Sequence, residues 1–186
     1  MTKLNLSHRD YCHSVAKWLL QQQAIQLTSW ELGLDVGTVD VIGITTKVKK
    51  YDAKLVIVEV KRSRADLLQD LKRKKMLGYE KRASHCYLAV TQDCVWTPGE
   101  LAAGEHLKPT AAKSIVKFLQ DKGLPTYWGV LLYSPNGAGS DWVCVRQARR
   151  TSTRITSATL EAITKKIALS FMYRILSPNS PIVELE

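Results

Sequence analysis

The chain has little of what marks several large protein classes. Its 4 cysteines, Cys12, Cys86, Cys94 and Cys144, are scattered with no Cys-x-x-Cys pair. That spacing argues against a zinc site and a secreted disulfide framework, and predicts reduced, mostly buried thiols in a cytosolic protein. No uninterrupted apolar stretch approaches the roughly 20 residues of a membrane span, so no membrane partner is expected. Met1-Thr-Lys-Leu-Asn5 leads into polar and charged residues, not an apolar core with a cleavage site, which predicts a cytoplasmic protein. There is no Gly-rich phosphate loop, no nucleophile elbow, no internal repeat and no low-complexity tract. Acidic residues are the scarcer charge: 17 Asp and Glu stand against 27 Lys and Arg, a net charge of +10. Such an excess suits a polyanionic partner, although basic surfaces also occur without one.

What is present fits one domain with a substantial core, since domains commonly run about 100–200 residues. Residues 1–176 are expected to form it. An irregular excursion at 91–126, which holds Pro98, Gly99 and Gly104, reads as an insertion, and 177–186 as a mobile tail.

The richest stretch runs from Thr38-Val-Asp-Val-Ile-Gly-Ile-Thr-Thr46 to Lys54-Leu-Val-Ile-Val-Glu-Val-Lys-Arg62. Two β-branched apolar runs joined by a short charged segment predict an antiparallel hairpin. Asp40 interrupts the first run; Glu59 and Lys61 interrupt the second. Side chains alternate along a strand, so Glu59 and Lys61 share a face and Val60 points away. Charged groups in an apolar run are costly unless compensated, and a bound cation would compensate them. A Glu-x-Lys pair at the end of an edge strand is also, commonly, solvated charge.

Around this hairpin, Ser7 to about Gln26 predicts a helix packed on the sheet through Tyr11, Val15, Trp18 and Leu19, with His8 and His13 read as structural or solvated. Thr28 to Asp35 predicts a strand with Trp30, Leu32 and Leu34 on one face. Glu31 on the other face is either an extra site carboxylate or an exposed strand residue. After Lys61, Ser63-Arg-Ala-Asp66 fits a capping box, with Asp66 reaching back to Ser63, opening a helix to about Gly78 or Tyr79. Lys72 falls within that helix's apolar arc; its stem either packs there or points along the sheet towards Glu59 and Lys61. His85–Val90 predicts a strand parallel to the Glu59 strand, because the link between them is helix-sized. Thr110 to about Lys122 predicts a helix. Tyr127–Tyr133 and Asp141–Arg146 predict a hairpin turning at Pro135-Asn-Gly137. Arg146, Arg149, Arg150 and Arg154 form either a solvated linker or a phosphate-contacting flank. A last helix, about 157–176, carries Leu160, Ile163, Ile167 and Phe171.

The order helix, three strands, helix, strand, with Val39-Asp40 on the middle strand and Glu59-Val60-Lys61 on the next, resembles the PD-(D/E)XK nuclease superfamily. The stretch Glu59-Val-Lys-Arg-Ser-Arg-Ala-Asp-Leu-Leu-Gln-Asp-Leu-Lys72, with Tyr79 and Cys86-Tyr-Leu-Ala-Val90, resembles the MmcB-like DNA repair proteins within it. The likeness is detailed over residues 29–90 and loose beyond. Val39 stands where the motif's nominal proline would be.

The resemblance implies an α/β (α+β) protein with a restriction-endonuclease-like core: a central mixed sheet flanked by helices, ordered αβββαβ, plus a C-terminal hairpin and helix. It implies metal-dependent hydrolysis of DNA phosphodiester bonds in repair or recombination. Asp40, Glu59 and Lys61 would be the catalytic set. Asp40, Glu59, the Val60 main-chain carbonyl and, as an option, Glu31 would hold Mg²⁺, for which Mn²⁺ could substitute; oxygen donors suit either ion. Lys61 would orient or deprotonate water, or stabilise developing negative charge. Lys72, Arg73 and Lys74, hairpin residues Lys47, Lys49 and Lys50, and Arg149 and Arg150 are the candidates for contacts to the DNA backbone. A homodimer would serve if two strands are cut. The rivals are a nucleic-acid-binding module that keeps the fold without cutting, and a small-molecule enzyme of incidental charge.

Overall fold

The computed structural model describes residues 6–22, 25–35, 37–45, 53–74, 76–134 and 141–176. Lys47, Lys49 and Lys50, the Pro135-Asn-Gly137 turn and the tail 177–186 lie outside the described residues.

Among the described residues, six strands form one open, mixed sheet in sequential order: β1 (Leu27–Leu34), β2 (Gly37–Ile44), β3 (Leu55–Lys61), β4 (His85–Val90), β5 (Gly129–Tyr133) and β6 (Trp142–Arg146). β1, β2 and β3 are an antiparallel meander; β3, β4 and β5 run parallel; β6 returns antiparallel to β5. Two parallel pairs require two helical crossovers. The first is α2 (Arg64–Arg73) with the single turn α3 (Leu77–Glu80). The second is the 91–126 segment, which holds α4 (Gln92–Val95), α5 (Pro98–Ala102), a 3-10 turn at Glu105–Leu107 and α6 (Ala111–Asp121). It is therefore more regular than its glycines and prolines suggest.

Helices cover both faces. On one, α1 (His8–Gln22) lays Cys12, Val15, Ala16, Trp18 and Leu19 on Val41, Val56, Val58 and Val60. On the other, Leu67 and Leu71 of α2, Ile115 and Leu119 of α6, and Leu160, Ile163 and Ile167 of α7 (Ser157–Leu176) share a core with Ile42, Leu55, Ile57 and Leu88. Every residue of β3 is buried, as expected for a central strand covered on both faces.

Three expectations are corrected. Trp30 packs in the α1 layer, whereas Leu32 and Leu34 pack in the opposite one. The cause is Glu31, whose φ of 51° lies in the left-handed region and turns the strand over. The capped helix ends at Arg73, not near Tyr79, because Lys74 adopts the left-handed conformation (φ 54°) and its N–H closes back on the carbonyls of Asp70 and Leu71. Phe171 does not join the α7 stripe; it is exposed with Leu169, Met172 and Tyr173.

Candidate active site

The site lies at the end of the sheet where β2 and β3 part. Their ladder stops at the Val41–Val58 pair. One step beyond, the Asp40 carboxylate (Oδ2) accepts the Val60 amide proton at 2.7 Å, taking the place of a ladder carbonyl. Because the N–H and C=O of one extended residue point the same way, the Val60 carbonyl also faces β2, towards Asp40. The other Asp40 oxygen, Oδ1, lies 3.3 Å from His8 Nε2 at the start of α1. His8 has its pKa raised, chiefly by that hydrogen bond, with burial opposing and the Asp40 and Glu31 charges assisting.

Glu59 and Lys61 extend to the other face, as strand alternation requires. Lys61 Nζ is 3.0 Å from Glu59, 3.1 Å from Asp66 and 2.6 Å from Asp70. Only 6% of the Lys61 side chain is exposed and 1% of that of Glu59. Burial works to discharge this ammonium, but the adjacent Glu59 charge and the hydrogen bonds of Asp70, Glu59 and Asp66 outweigh it and raise its pKa. Three carboxylates within 3.1 Å thus hold the ammonium in place. Tyr79, buried in the same layer, donates to the Thr38 carbonyl at 3.3 Å. Burial first, and then the Glu59 charge, push its phenol upwards, so it stays protonated.

Ser63 caps α2 as expected, accepting the Asp66 amide. The Asp66 carboxylate goes to Lys61 instead of back to Ser63. Lys72 is exposed, and the α2 side chains that meet Lys61 are Asp66 and Asp70. Acid residues at helix positions 66 and 70 face the same way, one turn apart. That i, i+4 pair following Glu-x-Lys was the signal available in the sequence for this part of the site.

The basic residues divide by position. Arg62 follows directly on Lys61 and donates to the Leu6 carbonyl at 3.3 Å, and the Arg64 guanidinium lies 4.7 Å over the Phe118 ring. Lys72, Arg73 and Lys74 are exposed at the far end of α2, about 15 Å from its start at the helical rise of ~1.5 Å per residue. Arg149 and Arg150 are exposed too, but their segment is tied to the opposite end of the sheet. The Arg149 amide bonds the Tyr127 carbonyl, and the Thr151 amide bonds that of Ser84 at 2.8 Å, one residue before β4. The length of β3, roughly 20 Å, separates them from Lys61. Arg146 is structural: it donates to the Trp128 and Pro125 carbonyls.

Glu31, exposed at the face switch of β1, lies close enough for its charge to act on His8 and Cys12. All four cysteines are free thiols. No helix among the described residues is long and apolar enough to cross a membrane. No family model matches the chain, and no curated protein matches it.

Proposed function

We propose that the chain is a metal-dependent nuclease of the PD-(D/E)XK type, hydrolysing DNA phosphodiester bonds in repair or recombination. The observation that carries this reading is the Asp40 carboxylate on the Val60 amide, where β2 and β3 part, with Glu59 and Lys61 on either side of Val60. The sequence order of helices and strands around that point supports a restriction-endonuclease-like core.

Asp40, Glu59 and the Val60 carbonyl are hard oxygens of the kind Mg²⁺ or Mn²⁺ prefers, with Glu31 as a further carboxylate. Since Asp40 engages His8 and Glu59 engages Lys61 on opposite faces, one ion between them would require a carboxylate to turn from its present partner. The bound ion would lower the pKa of a water and neutralise charge on the scissile phosphate. Lys61 would orient or deprotonate the water, or stabilise developing negative charge on the phosphate. Asp70 and Asp66 position its ammonium. Arg62, beside the site, is a nearer phosphate contact than Lys72, Arg73 or Lys74, which would meet DNA further along its length.

A second reading, a nucleic-acid-binding module on this fold, is favoured by one feature. Asp40 engages His8 in the α1 layer, whereas Glu59 engages Lys61 in the α2 layer. Supercoiled, linear, branched and single-stranded DNA, incubated with Mg²⁺ or Mn²⁺ and then with EDTA, separate the two. Binding without metal-dependent cutting on every substrate would favour the module.

A further inference from the structure

His8 and Cys12 stand one helical turn apart on α1, so their side chains leave the same face, towards β2. Asp40 meets them there. His8 Nε2 is 3.4 Å from Cys12 Sγ and 3.3 Å from Asp40 Oδ1, and the ligand atoms of all three residues lie within 4.8 Å of one another.

The S···N and N···O separations have the size of two edges of a metal tetrahedron, and the Cys12–Asp40 edge, within 4.8 Å, would close on binding. With Zn–S of about 2.3 Å and Zn–N and Zn–O of about 2.0 Å, tetrahedral angles give an S···N edge of ~3.5 Å and an N···O edge of ~3.3 Å. If Nε2 carries a proton, it serves Asp40 and cannot accept from the thiol. If Nε2 carries a lone pair, it accepts the thiol proton and faces a carboxylate oxygen. One cation at the centre satisfies all three groups at once. Burial first, and then the charges of Asp40, Glu31 and Glu59, disfavour a bare Cys12 thiolate, and a dication would offset those charges. The His8 side chain is 40% exposed, which leaves a side open to solvent for entry and for water as fourth ligand.

We propose that His8, Cys12 and Asp40 bind a thiophilic divalent cation of the Zn²⁺ class, and that its occupancy, by taking Asp40, shuts off Mg²⁺-dependent cutting. A thiolate and an imidazole select Zn²⁺ over Mg²⁺, whereas the oxygen set of Asp40, Glu59 and Val60 prefers the harder ion. Binding replaces the Cys12 thiol proton, which leaves to solvent. The binding claim stands independently of the nuclease reading; the inhibition claim rests on it. Cysteine spacing gave no hint of this site, because only one ligand is a cysteine.

Co²⁺ titrated into the purified full chain tests the binding claim without DNA. The expected result is one Co²⁺ per chain, with a thiolate-to-cobalt charge-transfer band and the intense visible bands of tetrahedral coordination. Cys12→Ala should abolish the charge-transfer band, and His8→Gln should weaken binding about 10–100-fold or more, ligand loss costing at least what loss of a supporting group does. Thermal melts without metal establish that each variant is folded. An unchanged spectrum in folded Cys12→Ala, or no charge-transfer band in the parent, would overturn the site. Zn²⁺ added to the Mg²⁺ cutting assay should inhibit the parent and not Cys12→Ala; equal inhibition of both would overturn the regulatory claim. A chain that binds Co²⁺ through Cys12 but cuts no DNA would sink the nuclease reading and leave the site standing.

Discussion

Lys61 Nζ lies 2.6 Å from the Asp70 carboxylate, a contact that joins the end of the central strand to the middle of the crossover helix. With Glu59 at 3.0 Å it makes a buried charge cluster in which the lysine is the shared partner.

Removing that partner leaves two carboxylates in a site with almost no solvent. Lys61→Met is expected to cost about 3–5 kcal/mol, the scale for breaking a buried ion pair from one side. Asp70→Asn should cost clearly less, because Lys61 keeps Glu59 and Asp66. Urea denaturation of the three proteins checks the order. A Lys61→Met variant as stable as the parent would show that the cluster is not coupled to folding.

The two perturbed histidines pull stability in opposite directions with pH. His8 has its folded pKa raised from 6.5 by its bond to Asp40. Its contribution is therefore fully present below about pH 6.5 and fades as pH rises through the folded value. His85, buried and facing the charges of Lys54 and Arg150, has its pKa lowered to about 4. Its neutral form is the folded one, so stability is lost as pH falls from 6.5 towards 4. Melting temperatures of His8→Gln and His85→Gln across pH 4–8 check this. The first substitution should hurt most at low pH, and the second should flatten the acid side of the profile.

Gly129 opens β5 where no side chain fits. A Cβ there would sit 2.2 Å from the Tyr87 ring and 2.8 Å from the Ala148 amide. Ring and backbone are both held, since Tyr87 donates to Gln147 at 2.8 Å. Gly129→Ala is expected to cost about 1–3 kcal/mol, the usual price of overpacking, readable as a drop in the urea midpoint. An unchanged midpoint would mean that the β5–β6 edge moves freely.

Position on the sheet also separates the arginines. Arg62→Ala should weaken DNA binding and reduce the slope of log affinity against log salt by about 1, as loss of one phosphate contact does. The double change Arg149→Ala and Arg150→Ala, at the opposite end, should leave the single-turnover cutting rate on a short duplex unchanged. A larger rate loss in the double variant than in Arg62→Ala would contradict this placement.

The strands, the Ser63 cap and the parallel placement of β4 were legible because each rests on local chemistry: β-branched runs, a cap residue and a link long enough for a helix. The catalytic candidates on β3 were legible because charges in an otherwise apolar central strand stand out. Three features were not. The face switch at Glu31 depends on one residue's φ of 51°, to which period-2 reasoning is blind. The early stop of α2 depends on Lys74 taking a left-handed conformation more usual for glycine or asparagine. His8 reads as a structural or solvated histidine until the fold brings α1 over β2, which its separation of 32 residues from Asp40 does not reveal. Asp66 and Asp70 were visible as residues, but their direction was set by Lys61 rather than by the helix cap.

The central claim is that Asp40 and Glu59 together support metal-dependent cutting. The most direct measurement is the nicking rate of supercoiled DNA in Mg²⁺ for the parent, Asp40→Asn and Glu59→Gln, each shown by melting to be folded. Cutting should stop with EDTA and fall by about 100-fold or more in either variant, the scale of losing one preorganised electrostatic group. Cutting by a folded variant at the parent's rate, or by the parent in EDTA, would contradict that claim.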